Sequence, residues 1–130
     1  MPFYGIYDFY DEKGLQYHKG LEQILQESIL KVSKQDNPDL YRQASPINHI
    51  HRNAPPFMVV QGDKDTLVSM DETRYFVDSL KKISENPVAY AEILGAQHAF
   101  DVFPSVRSEH VLNGVVRFAG WLYSDYLRKC

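Results

Sequence analysis

The sequence predicts an α/β fold, a three-layer arrangement in which a parallel sheet lies between covering helices. Three observations carry this. The stretch Pro55–Val68 is a proline stop, a continuous apolar run, a glycine with two aspartates, and a short apolar pair. Such a run, valine-rich and bounded by Pro and Gly, is the pattern of a strand buried on both faces. A capping motif and a helical apolar stripe follow at once, and a second β-rich run follows the helix. Strand, helix and strand at these lengths make a right-handed parallel crossover.

The remaining elements are read in order. Phe3–Phe9 is aromatic-rich with Gly5 inside, and reads as a first strand. From Leu15 to Ser33, Tyr17, Leu21, Ile24, Leu25, Ile29 and Val32 recur at helical spacing, predicting a helix with one buried face. Asp36-Asn37-Pro38 ends it, and a turn-rich connector is expected from Leu40 to Ala54. Phe57–Gln61 is the central strand. Ser69-Met70-Asp71-Glu72 has the form of a capping box, in which Ser69 accepts from first-turn amides and Glu72 reaches back. The helix it opens carries Thr73, Phe76, Val77, Leu80 and Ile83 on one stripe. Val88–Leu94 is a third strand, with Ala89, Ala91 and Ile93 on one side. A last helix is expected from about Ser105 to Leu127, with Val111, Val115, Phe118 and Leu122 inward. Gly114 and Gly120 within it suggest close packing on the sheet. The order β-α-β-α-β-α has no internal linker, so 1–130 is read as one domain.

Composition narrows the function classes. The 130 residues carry 14 basic and 17 acidic side chains, a net charge of −3, with no basic face, so nucleic acid is not an expected partner. No run approaches the roughly 20 apolar residues of a membrane span, and no signal peptide is visible; a cytoplasmic protein is expected. The single cysteine, Cys130, excludes a disulfide framework. No metal-ligand spacing, phosphate loop or cofactor motif appears, so neither cofactor nor metal is expected.

The candidate chemistry lies in two loops. In parallel sheets, ligands and catalytic groups gather outside the carboxyl ends of the strands. Asp65 follows the strand Phe57–Gln61, and His98 follows the strand Val88–Leu94. One crossover separates them, so both loops open on the same edge. A carboxylate accepting from one imidazole nitrogen fixes the tautomer and stabilises the imidazolium formed when the other nitrogen takes a proton. Read singly, Asp65 is a turn former and His98 a loop histidine; together they form the base half of a nucleophilic hydrolase. Asp63 is expected to shape the turn. His49 and His51, two apart, are read as exposed connector histidines rather than a metal pair, and His18 and His110 as helix-surface residues. Phe100, Val102 and Phe103 line a substrate pocket or pack beneath the last helix.

The stretches PPFMVVQGDKDTLV and ILGAQHAFDVFPS resemble the α/β-hydrolase fold, in particular the esterase and lipase branch related to hormone-sensitive lipase. The resemblance places the triad acid on Asp65 and the triad base on His98. It also matches YGIYDF to the strand after the nucleophile-bearing unit. The chain departs from that pattern in lacking the glycine-x-serine-x-glycine elbow. None of its nine serines has the flanking glycines, and the upstream oxyanion segment is missing too. Ser69 stands where relatives usually have proline, and Gln61 where many have histidine. The expectation is the C-terminal half of a serine carboxylic-ester hydrolase, with nucleophile and oxyanion hole N-terminal to Met1. Such a chain would be inactive alone and would act on a small-molecule ester within the intact enzyme. A prolyl-oligopeptidase-type peptidase segment and a non-catalytic association module are the alternatives. The unpaired aromatic strand edge at Phe3–Phe9 further predicts a homo-oligomer, a symmetric dimer across that edge.

Overall fold

The computed structural model describes residues 1–129. Its centre is a parallel pair, β1 (Phe57–Gly62) and β2 (Val88–Ile93), in register from Phe57 opposite Val88 to Gly62 opposite Ile93. Helix α3 (Met70–Ile83) covers one face and α4 (Val106–Lys129) lies over the other, which is the three-layer order. Side chains divide by the two-residue pleat. Val59 and Tyr90 point to the α3 side, where they join Tyr7, Phe76, Val77 and Leu80 in the main core. The Tyr7 and Phe76 rings stack at 4.1 Å. On the α4 side, Gly114 approaches Met58, whose Cε lies 3.8 Å from where a Cβ would stand. Gly120 has no such neighbour among the described residues, so close packing there does not account for that glycine.

The first expected strand is reduced to a single parallel bridge between Phe3 and Val60. The Val60 amide donates to the Pro2 carbonyl (3.0 Å) and the Tyr4 amide to the Val60 carbonyl (2.8 Å). Beyond this, Tyr4 turns to φ +39°, which no strand can continue. The segment pairs with β1 only at its start, and the Tyr7 and Asp8 amides bind Glu72 of α3 instead.

The helix expected over 15–33 is shorter and changes winding. It comprises α1 (Lys19–Ile24) and a π-wound continuation (Leu25–Leu30), closed by Lys31 at φ +58°. A π turn places i+5, not i+4, above i. Leu30 therefore joins Leu25, Leu21 and Tyr41 in a second cluster, while Ile29 swings outward to 51% exposure.

The connector is also more ordered than expected. Helix α2 (Pro38–Ala44) begins where the earlier helix was predicted to stop. Asn37 Oδ1 accepts from the Leu40 amide at 3.1 Å, and Pro38 occupies the first helical turn. A short 3-10 turn, Pro46–His49, follows.

At α3, Ser69 caps as expected, its Oγ accepting from the Asp71 amide (3.2 Å). Glu72 does not close the box. Its Oε1 accepts instead from the amides of Tyr7 (2.6 Å) and Asp8 (2.9 Å), tying the N-terminal segment to α3. Ile83 is half exposed rather than part of the buried stripe.

Candidate functional site

Gly62, the last residue of β1, decides how closely the two strand-end loops approach. A Cβ there would stand 2.4 Å from the carbonyl oxygen of Ala96. Without one, the loops lock together. Lys64 donates its amide to Ala96 (2.9 Å), and Asp63 Oδ1 accepts from the Gly95 amide (2.5 Å). Asp63 thus does more than shape its own turn, since it ties the β1 loop to the β2 loop.

That junction brings Asp65 and His98 together. His98 Nδ1 lies within hydrogen-bond distance of Asp65 Oδ2, at 2.9 Å. The Asp65 side chain is wholly buried, and that of His98 is 29% exposed. All four acceptor positions of the carboxylate are filled. Oδ1 takes the amides of Leu67 and Val68, each at 2.9 Å. Oδ2 takes Gln61 Nε2 at 2.7 Å in addition to the imidazole. The amide orientation of Gln61 is set by the Val68 carbonyl, 3.4 Å from its Nε2. The three neighbours other than the imidazole are all donors, which suits an acceptor-only carboxylate. Such a partner requires the proton on Nδ1 of His98, leaving the Nε2 lone pair as the imidazole's basic edge.

Three further residues reach this centre without having been picked out as site residues. Gln61, fully buried, anchors Asp65 from below, and its Oε1 meets Thr73 Oγ1 at 3.4 Å. The Tyr17 hydroxyl donates toward the Asp65 carbonyl rather than packing in a core stripe, and lies 3.3 Å from the Val68 carbonyl. Burial, with the nearby Asp65 charge adding to it, raises the Tyr17 phenol above its ordinary value. Tyr4 lies against the imidazole, ring centroids 4.4 Å apart, and donates its hydroxyl to Asp101 Oδ1 at 2.8 Å. The position of Gln61, two residues before Asp63 on a strand face, could have exposed its role. Nothing local in the sequence signals Tyr4 or Tyr17.

Other candidate residues fall elsewhere. His49 Nε2 meets the Gln43 carbonyl (2.6 Å) and His51 is exposed. No group of three metal-binding side chains forms among the described residues. His18 precedes α1 and is exposed. Phe100 stacks on Phe3 at 6.2 Å, while Val102 and Phe103 stand exposed at 63% and 77%. An apolar cleft of about 420 Å³ lies between the sheet and α4, bordered by Met58, Ile93, Arg107 and His110, and contains neither Asp65 nor His98. No helix among the described residues is long and apolar enough to cross a membrane.

A parallel sheet between helices, with these loops at its carboxyl edge, is the C-terminal part of an α/β-hydrolase fold. The chain belongs to the BD-FAE family, which matches residues 1–80. Over 124 residues it is 39% identical to a probable carboxylic ester hydrolase of Mycobacterium tuberculosis, LipM, covering 95% of this chain and 28% of LipM. Esterase LipQ of the same organism is 37% identical over 122 residues, 94% of this chain and 28% of LipQ. The chain thus spans about 28% of the length of these curated relatives. Among solved structures, propionate-bound esterase Est2 of Thermogutta terrifontis superposes with a TM-score of 0.69 at 21% identity, over 92% of this chain and 41% of Est2. A truncated carbohydrate esterase from gut microbiota gives 0.68 at 16% identity, over 88% of this chain and 40% of that one. These two likenesses speak for the fold.

Proposed function

We propose that this chain supplies the acid and the base of a serine carboxylic-ester hydrolase. The observation that carries the reading is the fully satisfied Asp65 carboxylate holding His98 by Nδ1. A serine hydroxyl brought to Nε2 by polypeptide outside 1–130 would lose its proton to His98 as its oxygen attacks the ester carbonyl. The imidazolium, balanced by Asp65, would return that proton to the departing alkoxide. Water activated through the same nitrogen would then release the acid. None of the chain's own serines is hydrogen-bonded to His98 among the described residues, which fits a chain inactive alone.

The test is a chimera in which 1–130 replaces the matching part of LipQ. The expected outcome is hydrolysis of a p-nitrophenyl ester, lost by about 10³-fold or more in His98→Gln, as removal of a triad member costs elsewhere. A folded chimera whose turnover ignores His98→Gln would end the reading.

The reading extends to self-association. A symmetric dimer across the Phe3–Phe9 edge is part of the proposal, since only the bridge at Phe3 pairs that segment with β1. Light scattering that gives one chain's mass across the micromolar range would refute it.

A further inference from the structure

We infer that Tyr4 is a positioning residue for His98, backing the imidazole face that Asp65 does not hold. This deepens the proposed role of His98 as base and rests on it. The Asp65 contact holds Nδ1 only while that edge of the ring faces the carboxylate, and by itself it leaves the ring able to turn over about Cβ–Cγ. The Tyr4 ring blocks the turn, with its centroid 4.4 Å from that of the imidazole and its plane tilted by 53°.

Tyr4 is itself held at three points. Its amide is bound to the Val60 carbonyl of β1, its hydroxyl to Asp101, and its ring meets Phe3 edge-on at 6.3 Å. Asp101 lies three residues beyond His98, just after Ala99 at φ +57°. The Tyr4–Asp101 bond therefore closes the His98 loop onto β1 across 97 residues of sequence. Burial, followed by the bond to Asp101, raises the Tyr4 phenol above its ordinary value, so it stays a donor at neutral pH.

The backbone gives a second, independent sign. A bulky residue at φ +39° is strained, and such strain persists only where surrounding contacts over-determine it. Glycine would fit that backbone without strain. The residue present instead is one whose ring meets the imidazole and whose hydroxyl reaches Asp101.

The experiment uses the ¹⁵N-labelled chain, with imidazole ring nitrogens observed above the ordinary imidazole pKa range and His98 assigned by its loss in His98→Gln. In the unmodified chain, His98 is expected as one narrow signal with Nδ1 protonated. Tyr4→Gly suits the φ and keeps the fold, while the ring turns over and the Nδ1–H share falls clearly below that of the unmodified chain. Tyr4→Phe and Asp101→Ala keep the ring but free the loop, and give intermediate shares. The exposed His51 serves as control and should not change. A full Nδ1–H share in folded Tyr4→Gly overturns the inference. Should that variant unfold, a full share in both Tyr4→Phe and Asp101→Ala does the same. Asp65→Asn separates the two readings, because its amide would face His98 with N–H and reverse the tautomer. An unreversed tautomer there refutes the base reading, whatever the Tyr4 variants give.

Discussion

Glu72 offers the sharpest test of how the N-terminal segment is held to the site. Its side chain is buried to 1% exposure, and burial, with the neighbouring Asp8 charge adding to it, raises its carboxyl above the usual glutamate range. The Tyr7 and Asp8 amides, and after them the Gln16 side chain, oppose that shift without cancelling it. Oε2 has no partner among the described residues. A carboxyl whose folded value is raised favours folding while protonated. That contribution is complete below the unfolded glutamate range and is lost as pH climbs through the folded value. Glu72→Gln mimics the protonated form, since its Oε1 can still accept from both amides. It is expected to match the parent in acid and to be the more stable of the two at neutral pH. Glu72→Ala removes the acceptor from two amides at about 1–3 kcal/mol each, offset in part because no charge is then buried, so a net loss of about 2–4 kcal/mol is expected. Urea unfolding of the three chains from acid to neutral pH measures both effects. A Glu72→Gln chain less stable than the parent at neutral pH, or a difference independent of pH, would refute the reasoning.

Two further perturbations probe the strand-end junction. Gly62→Ala sets a Cβ against the Ala96 carbonyl, and overpacking of this kind costs about 1–3 kcal/mol. It should also weaken protection of the Lys64 amide in hydrogen exchange, and unchanged protection would contradict the close approach. Gln61→Leu removes a hydrogen bond to a charged carboxylate, worth about 1.5–3 kcal/mol before the gain from apolar burial. Urea unfolding at neutral pH should show a net loss, and a Gln61→Leu chain as stable as the parent would count against it.

The parts of this fold legible in the sequence were those set by period and punctuation. The apolar run ending at Gly62, the alternation through Val88–Ile93 and the α3 stripe at Thr73, Phe76, Val77 and Leu80 all depend on local pattern alone. So does the matched placement of Asp65 and His98 after adjacent strands. What escaped depends on distant contacts or ambiguous signals. Asn37-Pro38 is equally a helix stop and a helix start, and here it starts α2. Glu72 had a local partner by rule, yet two amides from a segment 64 and 65 residues away took its carboxylate. The π winding at Leu25–Leu30 shifts the buried face by one residue in a way 3.6-residue periodicity cannot show. Tyr4 lost its strand to a positive φ, and its hydroxyl partner, Asp101, lies 97 residues further along the chain.

The ring-nitrogen spectrum of His98 in the unmodified chain, recorded where imidazoles are neutral, tests most directly whether Asp65 orients a base. A proton on Nδ1, with an unprotonated Nε2, is the predicted result. A proton on Nε2, with Nδ1 bare toward Asp65, would contradict it.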